Sequence, residues 1–169
     1  YDSSGISGLA NEAVTLTDTS LAASVLNTLD GHTSGTIDAG TVTTLTGSAA
    51  DLITAYASGG ITGLGNEAVV VNSGNASTSQ ATILAAATSG VVTVTIADGD
   101  LVTLEGLTET GNAYLIIVSD GSVDAAALNA LDEKTTVIVD ASSVTTLTGT
   151  AAEANAAYAS SGISGLANE

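Results

Sequence analysis

Six residue types are missing from this chain of 169 residues, which contains no Cys, Pro, Met, Trp, Phe or Arg. Without cysteine the chain has no disulfide cross-links and no thiolate chemistry. Its only aromatic residues are four tyrosines, so the interior has to be built from small and branched aliphatic side chains. An ordinary globular core uses aromatic side chains as large fillers, whereas thin layers that repeat along an axis can do without them.

Positive charge is also nearly absent, because a single Lys+Arg residue, Lys134, stands against 18 Asp+Glu for a net charge of -17. We therefore expect no nucleic acid partner, since nothing neutralises phosphates, and no attraction to an anionic membrane surface. Carboxylates in such excess repel one another, and salt or divalent cations relieve that repulsion. An ionic, extracellular or cell-surface location is expected.

Long apolar runs are lacking too. The sequence has no stretch of about 18 apolar residues, so we expect no membrane insertion. It also has no basic segment followed by an apolar one, so no signal peptide is predicted. The chain starts at Tyr1, so we expect an internal or processed piece of a longer protein. Hydrophobic residues still make up 44% of the chain, which predicts a folded protein rather than a disordered one.

Internal repetition is the strongest signal that is present. Residues 20–67 align without gaps to residues 122–169 at roughly half identity. Residues 1–12 repeat the ending of both segments, and residues 61–73 echo residues 6–18. We predict four parts: the tail of a preceding repeat at 1–12, a repeat unit at 13–60, a degenerate unit at 61–112 and a third unit at 113–169.

The repeat predicts an α/β solenoid of stacked coils, each of about 25 residues in the order strand, strand, helix. Apolar residues and threonines alternate in Val14 to Thr17 and in Val42 to Thr46, which indicates strands. No single coil can bury its apolar face, so the coils must stack and form parallel sheets. The middle, with VVTVTIADGDLVTLEG and AYLIIVSDG, is expected to be richer in strand, with a shorter or replaced helix.

The helices are predicted from caps and from apolar spacing. Asp18 to Ser20 and Ser48 are the expected N-caps. Recurring apolar residues predict the buried helix faces, and glycines predict the helix ends. The residues concerned are Leu21, Val25 and Leu29 in one helix, Leu52 and Tyr56 in the next, and the glycines Gly31, Gly59 and Gly60.

Two strings of the repeat, SLAASVLNTLDGHTSGTIDAGTVTTLTG and LTGTAAEANAAYASSGISGLANE, resemble repeats of very large secreted or cell-surface proteins of marine cyanobacteria. Those proteins often carry haemolysin-like or calcium-binding labels because of neighbouring modules. The resemblance implies an exported protein with long repeat arrays and no activity assigned to the repeat. Residues 126–132, AALNALD, are also similar to a repeat motif of marine phage tail fibres, which implies an elongated structural role.

Catalysis is not expected from the side chains present. His32 is the only histidine, so a Ser-His-Asp triad or a multi-histidine metal site would need residues from another subunit. Carboxylates recur with the repeat, as Asp38 and Asp140 do, which favours a structural role over the acid and base of a glycosidase. If the chain were an enzyme, the degenerate stretch from Asp98 to Glu109 would hold the pocket.

No cofactor is required by this fold, but calcium is a candidate because hard oxygen ligands are abundant. The best local clusters are Asp98 and Asp100 with Glu105, and Asp120 with Asp124. The glycine-rich calcium nonapeptide and the EF-hand loop are both missing, and Asp-Gly pairs are commonly simple turns. These five residues are the candidate metal ligands.

Two recurring polar groups have a structural and a binding interpretation. The asparagines that precede Glu are expected to bond the turn backbone, with a calcium or glycan contact as the alternative. The tyrosines are expected to be the largest fillers of each unit, with a sugar-stacking platform as the alternative. The asparagines are Asn11, Asn66 and Asn168, and the tyrosines are Tyr1, Tyr56, Tyr114 and Tyr158.

Three classes of function follow from these patterns. We predict a structural segment of an extracellular fibre, surface layer or adhesin, whose sheet edges are covered by adjoining repeats or by copies of itself stacked end to end. A phage tail-fibre segment is a variant of this structural role. The alternatives are a surface module that binds divalent cations, glycans or a mineral surface, and an enzyme domain.

Overall fold

The computed structural model describes residues 6–166 and combines helices with parallel strands. The strands are β1 Val14–Thr15, β2 Ser20–Ala22, β3 Ile37–Asp38, β4 Thr44–Gly47, β5 Ile61–Thr62, β6 Ala68–Val71, β7 Val92–Thr95, β8 Ala113–Leu115, β9 Ser122–Asp124, β10 Val139–Asp140, β11 Thr146–Thr148 and β12 Ile163–Ser164. The described helices are α1 Ala23–Asp30, α2 Ala49–Ala57, α3 Thr78–Ala87, α4 Leu101–Leu104, α5 Ala125–Asp132 and α6 Ala151–Ala159. The predicted α/β class with parallel sheets is confirmed.

The described strands pair in four sheets, and every pair of strands is parallel. One sheet has the order β2-β4-β6-β7-β8 and another the order β1-β3-β5. The remaining pairs are β10 with β12 and β9 with β11. Single parallel bridges join Asn112 to Thr135 and Ile117 to Asp140, so pairing continues from β8 towards β10.

Paired residues are separated by a nearly constant length of chain. Val14 pairs with Ile37, and Ile37 in turn pairs with Ile61, so each partner lies about 24 residues further along the chain. The C-terminal pair of Val139 with Ile163 has the same separation. The separation is shorter where β7 meets β8, as in the pair of Thr93 with Ala113, and this is the segment where the repeat is degenerate.

Matching residues of the two long repeats have matching contacts. β2 pairs with β4 in the register Ser20 to Thr44, and β9 pairs with β11 in the register Ser122 to Thr146. Asparagine side chains bridge neighbouring helices in the same way: Asn27 Nδ2 donates to Asp51 O at 2.9 Å, and Asn129 Nδ2 donates to Glu153 O at 3.0 Å. The sequence repeat is thus a repeat of structure.

One hydrophobic cluster extends along the chain from Leu16 to Ile163. It consists almost entirely of Ala, Val, Leu and Ile, and Tyr114 is its largest fully buried side chain. Small aliphatic residues thus take the place of the aromatic fillers of an ordinary globular core.

The first helix begins later than the sequence predicts. Ser20 belongs to β2, and α1 starts at Ala23 after an N-cap residue, Ala22, that makes no side-chain capping bond. The N-cap predicted at Asp18 to Ser20 is therefore wrong, because pairing of Leu21 with Leu45 holds this segment in a sheet. The second predicted cap is confirmed.

The confirmed cap is Ser48, whose side chain accepts a hydrogen bond from Asp51 N at 3.1 Å. The predicted face of α1 is wrong, since Val25 is 57% exposed and Leu26 is fully buried. Because Leu21 lies in β2 and α1 starts at Ala23, the predicted spacing from Leu21 does not give the buried face of the helix. Gly31 is the C-cap of α1, as predicted.

The middle of the chain contains both the longest and the shortest of the described helices. α4 has 4 residues, which agrees with the predicted shortening, whereas α3 in the same degenerate unit has 10. A membrane-spanning helix takes about 20 residues, and no helix in residues 6–166 is long and apolar enough to cross a bilayer.

Candidate functional site

Two of the predicted calcium ligands are N-caps. Asp100 precedes α4, and its Oδ2 accepts hydrogen bonds from Thr103 N at 3.0 Å and from Thr103 Oγ1 at 2.8 Å. Asp124 precedes α5 and accepts from Ala127 N at 3.0 Å. Both carboxylates thereby satisfy amides that have no partner inside the helix.

Two further predicted ligands cover the start of a helix that lies earlier in the chain. Asp98 Oδ2 accepts from Thr78 N, the first residue of α3, at 2.7 Å. Asp120 Oδ2 accepts from Leu101 N, the first residue of α4, at 2.7 Å. A carboxylate at this position complements the positive end of the helix dipole and links successive segments.

The fifth predicted ligand, Glu105, is the C-cap of α4 and so lies at the opposite end of that helix from Asp100. Within residues 6–166, no group of three or more His, Cys, Asp or Glu side chains is arranged to hold a metal ion. The structure explains Asp98, Asp100, Asp120 and Asp124 as helix caps. Calcium binding at these residues stays a hypothesis.

The aspartates that recur with the repeat hold turns. Asp38 Oδ1 accepts from Gly40 N at 3.0 Å, and Asp140 Oδ1 accepts from Ser142 N at 2.9 Å. Hydrogen bonds from the main chain and side chain of Ser142 lower the pKa of Asp140, because they stabilise the charged carboxylate. These carboxylates serve the same local purpose once per repeat.

A ladder of hydroxyl groups ties each segment to the one before it. Thr33 Oγ1 donates to Glu12 O, and Thr88 Oγ1 donates to Glu67 O, each at 2.7 Å. Further strand and turn residues do the same at 2.9 to 3.3 Å, as in Thr41 to Leu16, Thr43 to Thr19, Thr62 to Ile37, Thr145 to Gly121, Thr148 to Val123 and Ser164 to Val139. Each such bond contributes about 1 kcal/mol.

The most buried carboxylate belongs to Glu67, which is 1% exposed. Its oxygens accept hydrogen bonds from Tyr56 O–H, from Gly65 N at 2.9 Å and from Asn66 N at 3.2 Å. Burial, together with the hydrogen bond and charge of Glu67, raises the pKa of Tyr56 well above its usual range. The pair locks α2 to the turn that leads into β6.

Sequence reasoning missed this pair and assigned its role to the neighbouring asparagines. Asn66 has an exposed side chain, and the turn amides bond to Glu67 instead. Glu12 repeats the arrangement by accepting from Ala10 N at 2.8 Å and from Asn11 N at 3.2 Å. The triple recurrence of Asn-Glu at a fixed distance after Tyr was the signal that could have revealed the pair. Tyr1 and Asn168 lie outside the described residues.

The tyrosines differ in burial more than the repeat predicts. Tyr114 is 1% exposed, Tyr56 is half-buried and Tyr158 is 52% exposed. Burial, assisted by the negative charge of Glu109, raises the pKa of Tyr114 from 10.0 to about 12. Among the described tyrosines, only Tyr114 is therefore the fully buried filler that was expected.

The raised pKa of Tyr114 predicts that the protein loses stability in alkali. The folded-state pKa of Tyr114 lies above its unfolded value, so its contribution is complete below pH 10 and disappears as the pH rises through about 12. The contribution of Tyr114 to the free energy of unfolding should fall by about 2 to 3 kcal/mol over this window, and Tyr56, whose pKa is also raised, adds to the fall. Urea titrations of Tyr114→Phe over the same pH range should show a smaller fall than those of the unaltered protein. Equal falls in the two proteins would contradict the assignment.

A groove of about 360 Å³ lies between α3 and the short helix α4. Its lining contains hydroxyl and aliphatic groups and no charged side chain: Thr78, Ser79, Thr82, Ile83, Thr103 and Gly106. In the described chain Thr78 Oγ1 is the one buried side-chain polar atom without a hydrogen-bond partner. This surface lacks the acid and base groups of a hydrolytic site.

Lys134, the only lysine, donates from Nζ to Thr108 O at 3.2 Å.

Comparison with protein-family models, with curated protein sequences and with solved structures found no match to this chain. Function is therefore inferred from the contacts within the molecule, which are dominated by caps, turns and hydroxyl ladders.

Proposed function

We propose that this chain is a structural tandem-repeat segment of an extracellular fibre, surface layer or adhesin, folded as an α/β solenoid. In this proposal, coils of about 24 residues stack along one axis and each supplies strands to parallel sheets and a helix to a row. The chain catalyses no reaction, and its role is to provide length and rigidity.

The observation that carries this proposal is the nearly constant separation of the paired residues along the chain. Parallel pairing between segments about 24 residues apart recurs from Val14 with Ile37 to Val139 with Ile163. A single closed layer of strands gives no reason for this recurrence, whereas stacked coils produce it. The hydroxyl ladder supports the same arrangement, because its donors lie 21 to 25 residues after their acceptors.

The composition supports an extracellular setting. A net charge of -17 favours a medium with enough salt to screen the carboxylates. Most of the carboxylates whose bonds are described above hold turns and helix starts, so each repeat uses its charges for the same structural purpose.

Insertion of one more coil tests the proposal. A second copy of residues 37–60 placed directly after Gly60 keeps every sequence junction of the natural repeat, so Ile61 pairs with the new Ile37 as it does with the natural one. The protein should stay folded, and each added copy should lengthen it by about 4.8 Å, the spacing of adjacent strands. Cryo-electron microscopy or small-angle scattering of proteins with one, two and three added copies measures this increment.

The same segment inserted in scrambled order provides the control, because it preserves composition and length but not the register. Scrambled inserts should loop out and be cut by protease, while natural inserts resist it. If natural inserts are cut as readily as scrambled ones, or do not lengthen the molecule, the stacked architecture is wrong.

A further inference from the structure

Among the described strands that have an unpaired edge, β11 lies in the last coil of the repeat and β1 in the first. Within residues 6–166, β11 pairs only with β9, and β1 pairs only with β3. An open edge presents a row of main-chain donors and acceptors to a further strand.

Each of these strands has a sequence match inside the chain whose second edge is filled. Residues 146–149 and residues 44–47 both read TLTG, and the latter form β4, which pairs with β2 and also with β6. Residues 11–14 and residues 66–69 both read NEAV, and the latter lead into β6, which pairs with β7 and also with β4. The pair β4 and β6 is therefore the internal counterpart of β11 joined to β1.

The match between the β1 and β6 segments extends over a whole coil. Residues 12–35 align without a gap to residues 67–90, and both contain one helix at the same place. In both coils a threonine hydroxyl donates to the glutamate carbonyl, and an ideal Cβ on Gly35 or on Gly90 would lie 2.3 Å from that carbonyl oxygen. The coil that covers β4 and α2 thus has a structural equivalent at the other end of the chain.

Matched residues are more buried in the strands that have partners on both edges than in the strands that have one open edge. Leu45 in β4 and Val69 in β6 are fully buried, whereas their counterparts Leu147 and Val14 are only partly buried. The two open ends therefore leave aliphatic surface uncovered that the interior of the same chain covers.

We infer that β1 of a second copy of this chain adds in parallel to the open edge of β11, so that the copies assemble head to tail. The register follows from the internal pair, in which Leu45 is opposite Val69 and Thr46 is opposite Val70. It places Leu147 opposite Val14 of the second copy and Thr148 opposite Thr15. This inference rests on the solenoid architecture proposed above.

Hydrogen bonds and helices continue in the same way. In the internal pair Ala68 N donates to Thr43 O at 2.9 Å, so Ala13 N of the second copy donates to Thr145 O. Helix α1 of the second copy then covers α6 as α3 covers α2. Residues 6–11 of the second copy are not needed in the sheet, because β12 of the first copy already occupies their place.

The open edge of β11 has none of the features that prevent such pairing. Residues 143–149 contain no proline and no charged residue, which are the usual means of blocking an edge strand. A head-to-tail contact of this kind does not close on itself, so it generates open filaments rather than dimers. With a charge of -17 on each copy, filament growth is expected to increase with salt.

A cysteine pair tests the contact and its register. Thr15 and Thr148 are exposed, and the natural chain contains no cysteine. The variant carrying both Thr15→Cys and Thr148→Cys should form a ladder of disulfide-linked multimers under mild oxidation, since the two residues are adjacent across strands of different copies. The control pairs Thr15→Cys with Thr146→Cys and should give roughly ten-fold fewer links, because a two-residue displacement exceeds disulfide reach.

Sedimentation velocity of the unaltered protein provides a second measurement that needs no variant. Oligomers should grow with protein concentration and with salt. Equal cross-linking of both cysteine pairs, cross-linked dimers without higher multimers, or a monomer under all salt conditions would each overturn the inference. If coil insertion lengthens the molecule but no ladder forms, only this contact is wrong and the solenoid proposal stands.

Discussion

Gly90→Ala is expected to lower the free energy of unfolding by about 3 kcal/mol, because the new methyl group has no room. An ideal Cβ on Gly90 lies 2.3 Å from Glu67 O, 2.5 Å from Glu67 C and 2.9 Å from Ala68 N. All three are main-chain atoms, so a side-chain rotation cannot relieve the overlap. The segments that meet there are joined by the hydrogen bond from Val69 N to Val91 O, which must lengthen.

Urea unfolding followed by circular dichroism measures this loss, and Gly59→Ala is its matched control. No heavy atom lies within 4 Å of an ideal Cβ on Gly59, so this substitution should be neutral or slightly stabilising. Gly35→Ala, with the same close approach to Glu12, should also be destabilising. If Gly90→Ala is as stable as Gly59→Ala, the tight contact between successive segments does not exist.

Glu67→Ala is expected to cost about 4 kcal/mol, since it leaves a cavity and removes the acceptor of three donors. Those donors are Tyr56 O–H, Gly65 N and Asn66 N. Glu67→Gln keeps the volume but supplies only one acceptor oxygen, so a loss of about 2 kcal/mol is expected. Chemical denaturation at neutral pH measures both losses.

Two further variants separate the pair from the turn. Tyr56→Phe removes one donor and should cost less than Glu67→Gln, and the double variant should show coupling between the two residues. Glu12→Gln is the matched control, because Glu12 accepts hydrogen bonds from the corresponding turn at Ala10 and Asn11 but is only half-buried. A Glu12 variant as destabilising as the Glu67 variant would show that the turn bonds, and not the buried pair, dominate.

The composition of the core is the reason to expect such large effects from single contacts. The core is built almost entirely from Ala, Val, Leu and Ile, so it has little surplus hydrophobic contact to absorb a disturbance. Leu26, Leu45 and Leu128 are fully buried, yet each depends on neighbouring segments to complete its surroundings. Loss of register at one level is therefore felt at its neighbours.

Several features of the fold were predictable from residues alone. The alternation around Val42 and Leu45 predicted a strand that the structure places at Thr44–Gly47. Ser48 was predicted as an N-cap and accepts the expected hydrogen bond from Asp51 N. Both signals are local, because a strand's alternation and a cap's side chain act within a few residues.

Other features depend on residues that are distant in the chain. Ser20–Ala22 has the composition of a helix start, but its pairing with β4 makes it a strand, so the cap predicted there was wrong. Asp98 and Asp120 belong to two different candidate calcium clusters, and each carboxylate also caps a helix that begins well before it in the chain. Such partners cannot be recognised until the register between segments is known.

The repeat, the α/β class and the small aliphatic core follow from the residues alone, because composition and periodicity require a chain of these residues to share its apolar faces among copies. The three-dimensional fold was needed to show which copies face each other, that Glu67 pairs with Tyr56, and that β11 and β1 match an internal pair of strands. The physical reason is that parallel neighbours are set by main-chain hydrogen bonds between successive segments, and these bonds involve groups that every residue of this proline-free chain carries.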